Sequence, residues 1–165
     1  MCDFLGTDGW HRICPAHVSS DPCLLMKTAQ TIHCFLIDDD PEEIEIFHLA
    51  LEELDFTVKC SSHTNCHDAL RSLIREDEIP DCIFLDLYMG PASGKECLNT
   101  IINTEIISQI PVVILSGSSN EPKTDELKKL GAQEFIVKSN TIEGLAKQLN
   151  NYFKSHFNTD NDLTI

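Results

Sequence analysis

The sequence has little positive charge and no long apolar run. Only 12 of its 165 residues are Lys or Arg, against 27 Asp or Glu, so the formal net charge at pH 7 is -15. Direct nucleic-acid binding is disfavoured because phosphate contacts come mainly from Lys and Arg, and attraction to an anionic membrane surface is disfavoured likewise. No apolar stretch approaches the roughly 18 residues of a spanning helix. We therefore expect no direct nucleic-acid partner and no membrane insertion.

The N-terminus also lacks the basic and apolar regions of an export signal, which favours a cytoplasmic protein. The chain nevertheless has 8 cysteines. Reduced cysteine behaves as a small hydrophobe in a core. We expect free thiols, in a reducing compartment, at the four cysteines that lie singly inside apolar or periodic segments: Cys34, Cys60, Cys82 and Cys97.

Both ends of the chain lack periodicity. Residues 1–30 mix Gly, Pro, Cys and His, and we expect an irregular extension, disordered or non-native. Residues 158–165 are polar, and we expect them to be frayed. Zinc ligands usually come in pairs two to four residues apart with flanking structure, so disorder is favoured over zinc for a loosely spaced set in the extension: His11, Cys14, His17 and Cys23.

Residues 31–157 alternate short apolar runs with segments of helical period. Strands are predicted at 32–37, 57–60, 82–86, 111–115 and 135–137. Helices are predicted after them at 41–54, around 69–74, and at 94–103, 121–130 and 141–157. Five successive βα units indicate an α/β fold in which helices cover both faces of a parallel sheet. The prediction is a flavodoxin-like, doubly wound, five-stranded sheet of order 2-1-3-4-5 with five helices.

Acidic residues follow two of the predicted strands. Asp38, Asp39 and Asp40 come directly after the first strand, and Asp86 ends the third. Those strands are neighbours in the predicted order, so their carboxyl ends meet at one crevice. Carboxylates this close raise one another's pKa unless a cation neutralises them, and Mg²⁺ is a hard cation that prefers oxygen ligands. Asp40, just before Pro41, is more typical of a helix N-cap than of a metal ligand.

Four motifs in fixed order, FLIDDD, FLDLYMG, ILSGS and FIVKS, resemble those of response regulator receiver domains over about residues 32–157. The resemblance implies that Asp86 accepts a phosphoryl group from a histidine of a sensor kinase or phosphotransfer protein. It implies Mg²⁺ ligation by Asp39 and Asp86, by Asp38 directly or through water, and by the Tyr88 backbone carbonyl.

The same resemblance assigns three further roles. Ser116 and Lys138 would bind phosphoryl oxygens, and Phe135 would be the aromatic switch residue. Signal output would be protein contact with an unknown downstream target, through a surface formed by about residues 121–152. Apart from its own phosphorylation and dephosphorylation, we expect no enzyme activity in what we interpret as a stand-alone receiver domain at 31–157.

The chain departs from the family pattern after the lysine. The family usually has Pro there, in a cis peptide, whereas Lys138 is followed by Ser139. A cis bond before a residue other than Pro costs roughly 2.5–4 kcal/mol. Either the site tolerates that strain or the lysine is held by a trans bond in a different loop. The loop after Asp86 also differs, reading MGPASG instead of the usual Met-Pro pattern.

The sequence disfavours three other functions. A receiver-like docking module that works without phosphorylation would be marked by loss of the acids or of Lys138, and none is lost. An aspartate-nucleophile phosphohydrolase would normally have a second acid two residues after the nucleophile, where Tyr88 stands. A flavodoxin-type cofactor binder would have a Ser/Thr/Gly-rich phosphate loop after the first strand, where the acids lie instead.

Overall fold

Five parallel strands form one sheet, in a computed structural model that describes residues 31–75, 79–90, 94–117 and 128–157. Their order, β2-β1-β3-β4-β5, confirms the doubly wound, flavodoxin-like sheet predicted from the sequence. The strands are β1 (Ile32–Ile37), β2 (Val58–His63), β3 (Cys82–Asp86), β4 (Val112–Ser116) and β5 (Glu134–Val137).

Helices cover both faces of the sheet. The described helices are α1 (Pro41–Glu52), α2 (Cys66–Arg75), α3 (Gly94–Asn103) and α4 (Ile142–Phe157). One core layer lies under α2 and α3, and the other under α1 and α4. No helix in these described segments is long and apolar enough to cross a bilayer. Most of the helix predicted at 121–130 lies outside the described residues. So do both ends of the chain, residues 1–30 and 158–165, and with them the candidate zinc ligands of the N-terminal extension.

The three central strands are buried on both faces. Every residue of β1, β3 and β4 is buried, as their near-continuous apolar sequences predict. Side chains alternate between the layers, so Phe35 packs with α2 and α3 while Leu36 packs with α1 and α4. Because Ile37 pairs with Leu85, the residues that follow these two strands emerge side by side.

Helix α1 begins where the acid run ends. Asp40 has extended backbone, and its Oδ1 accepts a hydrogen bond of 2.9 Å from the Glu42 backbone N–H, which confirms it as the N-cap. Pro41 occupies the first helical position. Phe47 and Leu51 are buried on the face toward the sheet. The cap therefore fixes the direction in which the chain leaves Asp38 and Asp39.

The last helix packs beside the first. Asp55, just after α1, accepts hydrogen bonds of 2.7 Å from Lys154 Nζ and 2.9 Å from Asn150 Nδ2. Below these exposed groups, Leu149 and Phe153 are fully buried against the sheet. One core layer is thus completed by the final helix of the described chain.

Helix α3 presses closely on the end of β3. A Cβ atom placed on Gly94 would overlap the backbone of Asp86 and Leu87. The Gly94 N–H instead donates a 3.1 Å hydrogen bond to the Leu87 carbonyl. Glycine is the residue that allows backbone to approach backbone this closely. The first turn of α3 therefore packs directly against the end of the strand that carries Asp86.

A disulfide bond joins Cys66 to Cys97, so the prediction that Cys97 is a free thiol was wrong. The two residues are 31 positions apart, but packing of α2 beside α3 brings their Cα atoms to 5.7 Å, within the range of a disulfide. Cys34, Cys60 and Cys82 are free, as predicted. A hydrogen bond with Cys60, together with burial, raises the pKa of the Cys34 thiol, which keeps it protonated.

Reduction of the disulfide is expected to lower the free energy of unfolding by about 3 kcal/mol, because a cross-link over 31 residues restricts the unfolded chain. Urea denaturation followed by circular dichroism, with and without dithiothreitol, measures this. Cys66→Ser should lose sensitivity to dithiothreitol, whereas Cys60→Ser should keep it. Equal midpoints for oxidised and reduced wild type would contradict the prediction.

Candidate functional site

Three carboxylates meet at the carboxyl edge of the sheet. Asp38 and Asp39 follow β1, Asp86 is the last residue of β3, and each offers an oxygen within 4.8 Å of the others. Asp38 and Asp86 are buried, with 2% and 6% of their surface exposed, whereas Asp39 is exposed. The pairing of β1 with β3 positions this group, and its one exposed member opens it to solvent.

Asp38 is held from several directions. Its Oδ1 accepts a 3.0 Å hydrogen bond from the Asp40 backbone N–H, and its Oδ2 accepts one of 2.7 Å from Lys138 Nζ. Its own N–H donates to the His63 carbonyl at the end of β2, at 3.1 Å. The two bonds to the carboxylate oxygens replace hydrogen bonds with water that the buried group has lost.

Lys138 brings the positive charge to the site. Its backbone N–H donates to the Ser116 carbonyl at 2.6 Å, which fixes the start of the loop after β5 beside the end of β4. From there Nζ lies 3.8 Å from Asp86 Oδ2 and 3.7 Å from Glu43 Oε2. No peptide bond in the described segments is cis, so Lys138 and Ser139 are joined by a trans bond. Of the two arrangements considered from the sequence, the structure has the trans form.

Burial and charge act against each other on Lys138. Burial alone would lower the pKa of its ammonium group, but the hydrogen bond and attraction from Asp38, with smaller contributions from Asp86 and Glu43, leave the pKa above its ordinary value. The neighbouring carboxylates therefore stabilise the charged form of Lys138.

For Asp86, burial and the neighbouring carboxylates change the pKa in the same direction. Burial is the largest effect and raises the pKa of its carboxyl group, and repulsion from Asp38 and Asp39 raises it further. Lys138 and a hydrogen bond from the Tyr88 backbone N–H offset only part of this. The ionised carboxylate of Asp86 is consequently less stable than it would be in water, and a bound cation would stabilise it.

The remaining predicted site residues surround this group at different depths. Ser116 is fully buried at the end of β4. Tyr88 has a side chain that is 59% exposed, while its backbone N–H reaches Asp86. Phe135 is half-buried in β5, pairs with Ile114 of β4, and packs against the core layer under α2 and α3.

The sequence reasoning missed Glu43 as a partner of Lys138. Glu43 lies in the first turn of α1, where an acidic side chain is common because it interacts favourably with the helix dipole. The sequence could have indicated this contact, because Glu43 lies three residues after the N-cap Asp40, on the same end of the helix as the acid run. The structure adds a half-exposed carboxylate to the surroundings of the lysine.

The donor set fits a hard divalent cation. Three carboxylates with oxygens inside 4.8 Å, two of them buried, supply negative charge that Lys138 alone does not balance. Mg²⁺ and Mn²⁺ prefer such oxygen ligands. Asp38, Asp39 and Asp86 are the residues that would hold the ion.

A family model described as the response regulator receiver domain matches residues 34–150. The chain belongs to this family. Receiver domains act in two-component signalling and interact with kinases or phosphotransfer proteins. They are generally signalling modules and not enzymes.

Curated relatives are longer than this chain. The chemotaxis protein CheV1 of Helicobacter pylori is 34% identical over 135 residues, which cover 74% of this chain and 40% of CheV1. The probable C4-dicarboxylate response regulator DctR of Bacillus subtilis is 25% identical over 117 residues, or 71% of this chain and 50% of DctR. The chain thus spans half or less of these two relatives.

Solved structures of similar length have the same fold. The phosphorylated cyanobacterial phytochrome response regulator RcpA matches with a TM-score of 0.66 and 25% identity, over 76% of this chain and 93% of RcpA. The Mn²⁺-bound form of the response regulator Rcp1 matches with a TM-score of 0.64 and 21% identity, over 81% of this chain and 99% of Rcp1.

Asp86→Asn is expected to stabilise the metal-free fold at pH 7 by roughly 1 kcal/mol, within the range of single stabilising substitutions. The folded-state pKa of Asp86 is raised, so its ionised form destabilises the fold at any pH above that value. This destabilisation decreases as pH falls toward 3.8, the pKa of the Asp86 carboxyl group in the unfolded chain. Urea denaturation in EDTA from pH 7 to pH 4 should show the variant's advantage shrinking; a variant less stable than wild type at pH 7 would contradict this.

Mg²⁺ is expected to raise the free energy of unfolding by roughly 1 kcal/mol at a concentration about five times its dissociation constant. Asp39→Asn should remove most of this gain, because it deletes the exposed carboxylate of the cluster. Asp40→Asn is the matched control, since it makes the same charge change one residue away and keeps a good N-cap residue. Thermal denaturation across a Mg²⁺ titration measures the gain, and equal gains for wild type and Asp39→Asn would refute the assignment.

Proposed function

We propose that the chain is a phosphorylation-dependent response regulator that accepts a phosphoryl group on Asp86 with Mg²⁺. The donor is a phosphohistidine of a sensor kinase or histidine phosphotransfer protein, and the output is protein–protein contact. The observation that supports this best is the placement of Lys138 Nζ, 3.8 Å from the Asp86 carboxylate and ion-paired with Asp38. A buried nucleophile, two more acids and a cation form the charge arrangement that phosphoryl transfer needs.

Attack by an Asp86 oxygen on phosphorus forms the aspartyl phosphate and breaks the bond between phosphorus and the donor histidine nitrogen. A divalent cation on Asp38, Asp39 and Asp86 would supply charge neutralisation for the phosphoryl oxygens. Lys138 is near enough to bind one of those oxygens by a small movement away from Asp38. Ser116, at the end of the adjacent strand, would hydrogen-bond another.

The signal would leave through β5. Lys138 follows this strand directly and Phe135 lies within it, so movement of the lysine toward the phosphoryl group pulls on the strand that carries the proposed switch residue. The proposed output surface, about 121–152, includes β5 and the first part of α4. Phosphorylation then acts as a local charge change that shifts a two-state element.

Incubation with Mg²⁺ and acetyl phosphate or phosphoramidate, followed by intact-mass spectrometry, is expected to show one added phosphoryl group. EDTA and Asp86→Asn should each abolish it. Asp55→Asn is the matched control and should retain it, because Asp55 bonds to Lys154 and Asn150 away from the site. Lys138→Ala should slow the addition, since it removes a cation that lies 3.8 Å from Asp86 Oδ2.

The absence of an adduct across donors and pH would overturn the proposal in favour of a docking module that works without phosphorylation. Addition to Asp86→Asn at the wild-type rate would place the phosphoryl group on another residue and contradict the assignment of Asp86.

A further inference from the structure

The disulfide and the proposed phosphoacceptor lie at the same edge of the sheet. β2 ends at His63, and Cys66 is the first residue of α2. Cys97 lies in the first turn of α3, the helix that follows β3 and Asp86. Cys66 lies three residues after β2, and Cys97 lies in the first turn of a helix that begins against the Asp86 backbone, so both are near the edge where the carboxylates meet.

Cys97 is connected to Asp86 through close packing. It is one turn from Gly94, whose Cα has no room for a side chain against the backbone of Asp86 and Leu87. Cys97 is also buried in the same core cluster as Leu87 and Met89, the residues that follow Asp86. A bond that fixes Cys97 to α2 consequently restrains the start of α3 and the segment after the phosphoacceptor.

The two bonded cysteines differ in access. Cys97 is only 2% exposed, whereas Cys66 is half-buried, so an external reagent reaches Cys66 first. The other described cysteines, Cys34, Cys60 and Cys82, belong to the opposite core layer under α1 and α4. The sheet separates them from Cys66 and Cys97, which favours exchange within this pair.

We propose that Cys66 and Cys97 form a reversible redox-modification site, and that closing their disulfide slows phosphorylation of Asp86. The first half stands on the placement of the two cysteines alone. The second half rests on the proposed function, because it concerns the rate at which Asp86 gains a phosphoryl group.

The oxidant is a low-molecular-weight disulfide such as glutathione disulfide. The Cys66 thiolate attacks one of its sulfurs, a bond to Cys66 forms, and the first glutathione leaves as a thiolate. The Cys97 thiolate then attacks Cys66 Sγ, the Cys66–Cys97 bond forms, and the second glutathione leaves. Two cysteine thiols are oxidised, one glutathione disulfide is reduced, and the two protons end on the two glutathione thiols. An excess of a dithiol reverses the sequence.

The direction of the effect follows from what the phosphoryl group requires. It must be accommodated beside Asp86 and Lys138, where the start of α3 packs against the Asp86 backbone. In the reduced protein, α3 is held to α2 by packing alone, and its first turn can adjust. In the oxidised protein, Cys97 is tied covalently to Cys66, so that adjustment is restricted and phosphorylation is slower.

Equilibration of the full chain in glutathione buffers of graded oxidation, followed by alkylation and peptide mapping, tests the modification site. A peptide pair linked through Cys66 and Cys97 should appear at oxidising ratios and disappear with dithiothreitol. Cys97→Ser should not form it, and Cys60→Ser, the matched control from the opposite layer, should form it as wild type does. Failure of the pair to form at any ratio, or preferential linkage of other cysteines, would overturn the proposed site.

The phosphorylation rate from acetyl phosphate, measured by intact mass, tests the regulatory half. Oxidised wild type should react about fivefold or more slowly than reduced wild type, a coupling at the low end of those between linked sites. Cys97→Ser should react at one rate in both buffers, while Cys60→Ser should follow wild type. Equal rates for oxidised and reduced wild type would overturn the regulation. If neither form is phosphorylated, the proposed function fails and the regulation with it, while the peptide map still decides the modification site.

Discussion

The ion pair between Lys138 and Asp38 is the interaction on which the site depends. It joins residues 100 positions apart in the chain, and it does so where burial has removed the water that would otherwise solvate both charges. Without Lys138, the buried carboxylates of Asp38 and Asp86 would have no positive side chain of the described residues between them. The pair does not balance the whole cluster, because Asp39 and Asp86 leave further negative charge. This residual negative charge makes the site suited to a divalent cation.

The sheet makes the ion pair possible. Lys138 leaves β5 and Asp38 leaves β1, two strands separated in the order by β3 and β4. The central strands are buried on both faces and aligned in parallel, so all their carboxyl ends reach one edge. The hydrogen bond from the Lys138 N–H to the Ser116 carbonyl then determines where the lysine side chain starts. Core packing and site electrostatics are therefore parts of one arrangement.

Local patterns predicted much of the fold. Strands β1 and β3 and helix α3 occupy the predicted residues, because their apolar runs are bounded by clear turn residues. The N-cap role of Asp40 could also be predicted from nearby residues, because it depends on Asp40 itself and on the Pro that follows. Strand β2 was predicted too short: Ser61, Ser62 and His63 are polar, and only pairing with β1 shows that they extend the strand.

Contacts between distant residues were harder to predict. The Cys66–Cys97 bond depends on how α2 lies against α3, and Cys97 alone has the environment of an ordinary buried thiol. The contact of Glu43 with Lys138 also joins distant parts of the chain, because Glu43 lies in the helix after β1 and Lys138 follows β5. The motif resemblance assigned Asp38, Asp39, Asp86 and Lys138 to one site, and the structure brings these four residues together. The chemical roles of these residues remain proposals.

The packing of α4 beside α1 has a consequence during synthesis. Leu149 and Phe153 close the core layer that Leu36 and Phe84 line from the sheet, and they are among the last residues of the described chain. Until they leave the ribosome, one face of a nascent β1–β3 pair has no helix α4 to cover it. Exposed apolar sheet of this kind is what chaperones bind and what aggregates. A chain cut short before residue 145 would therefore lack the helix that completes this core layer.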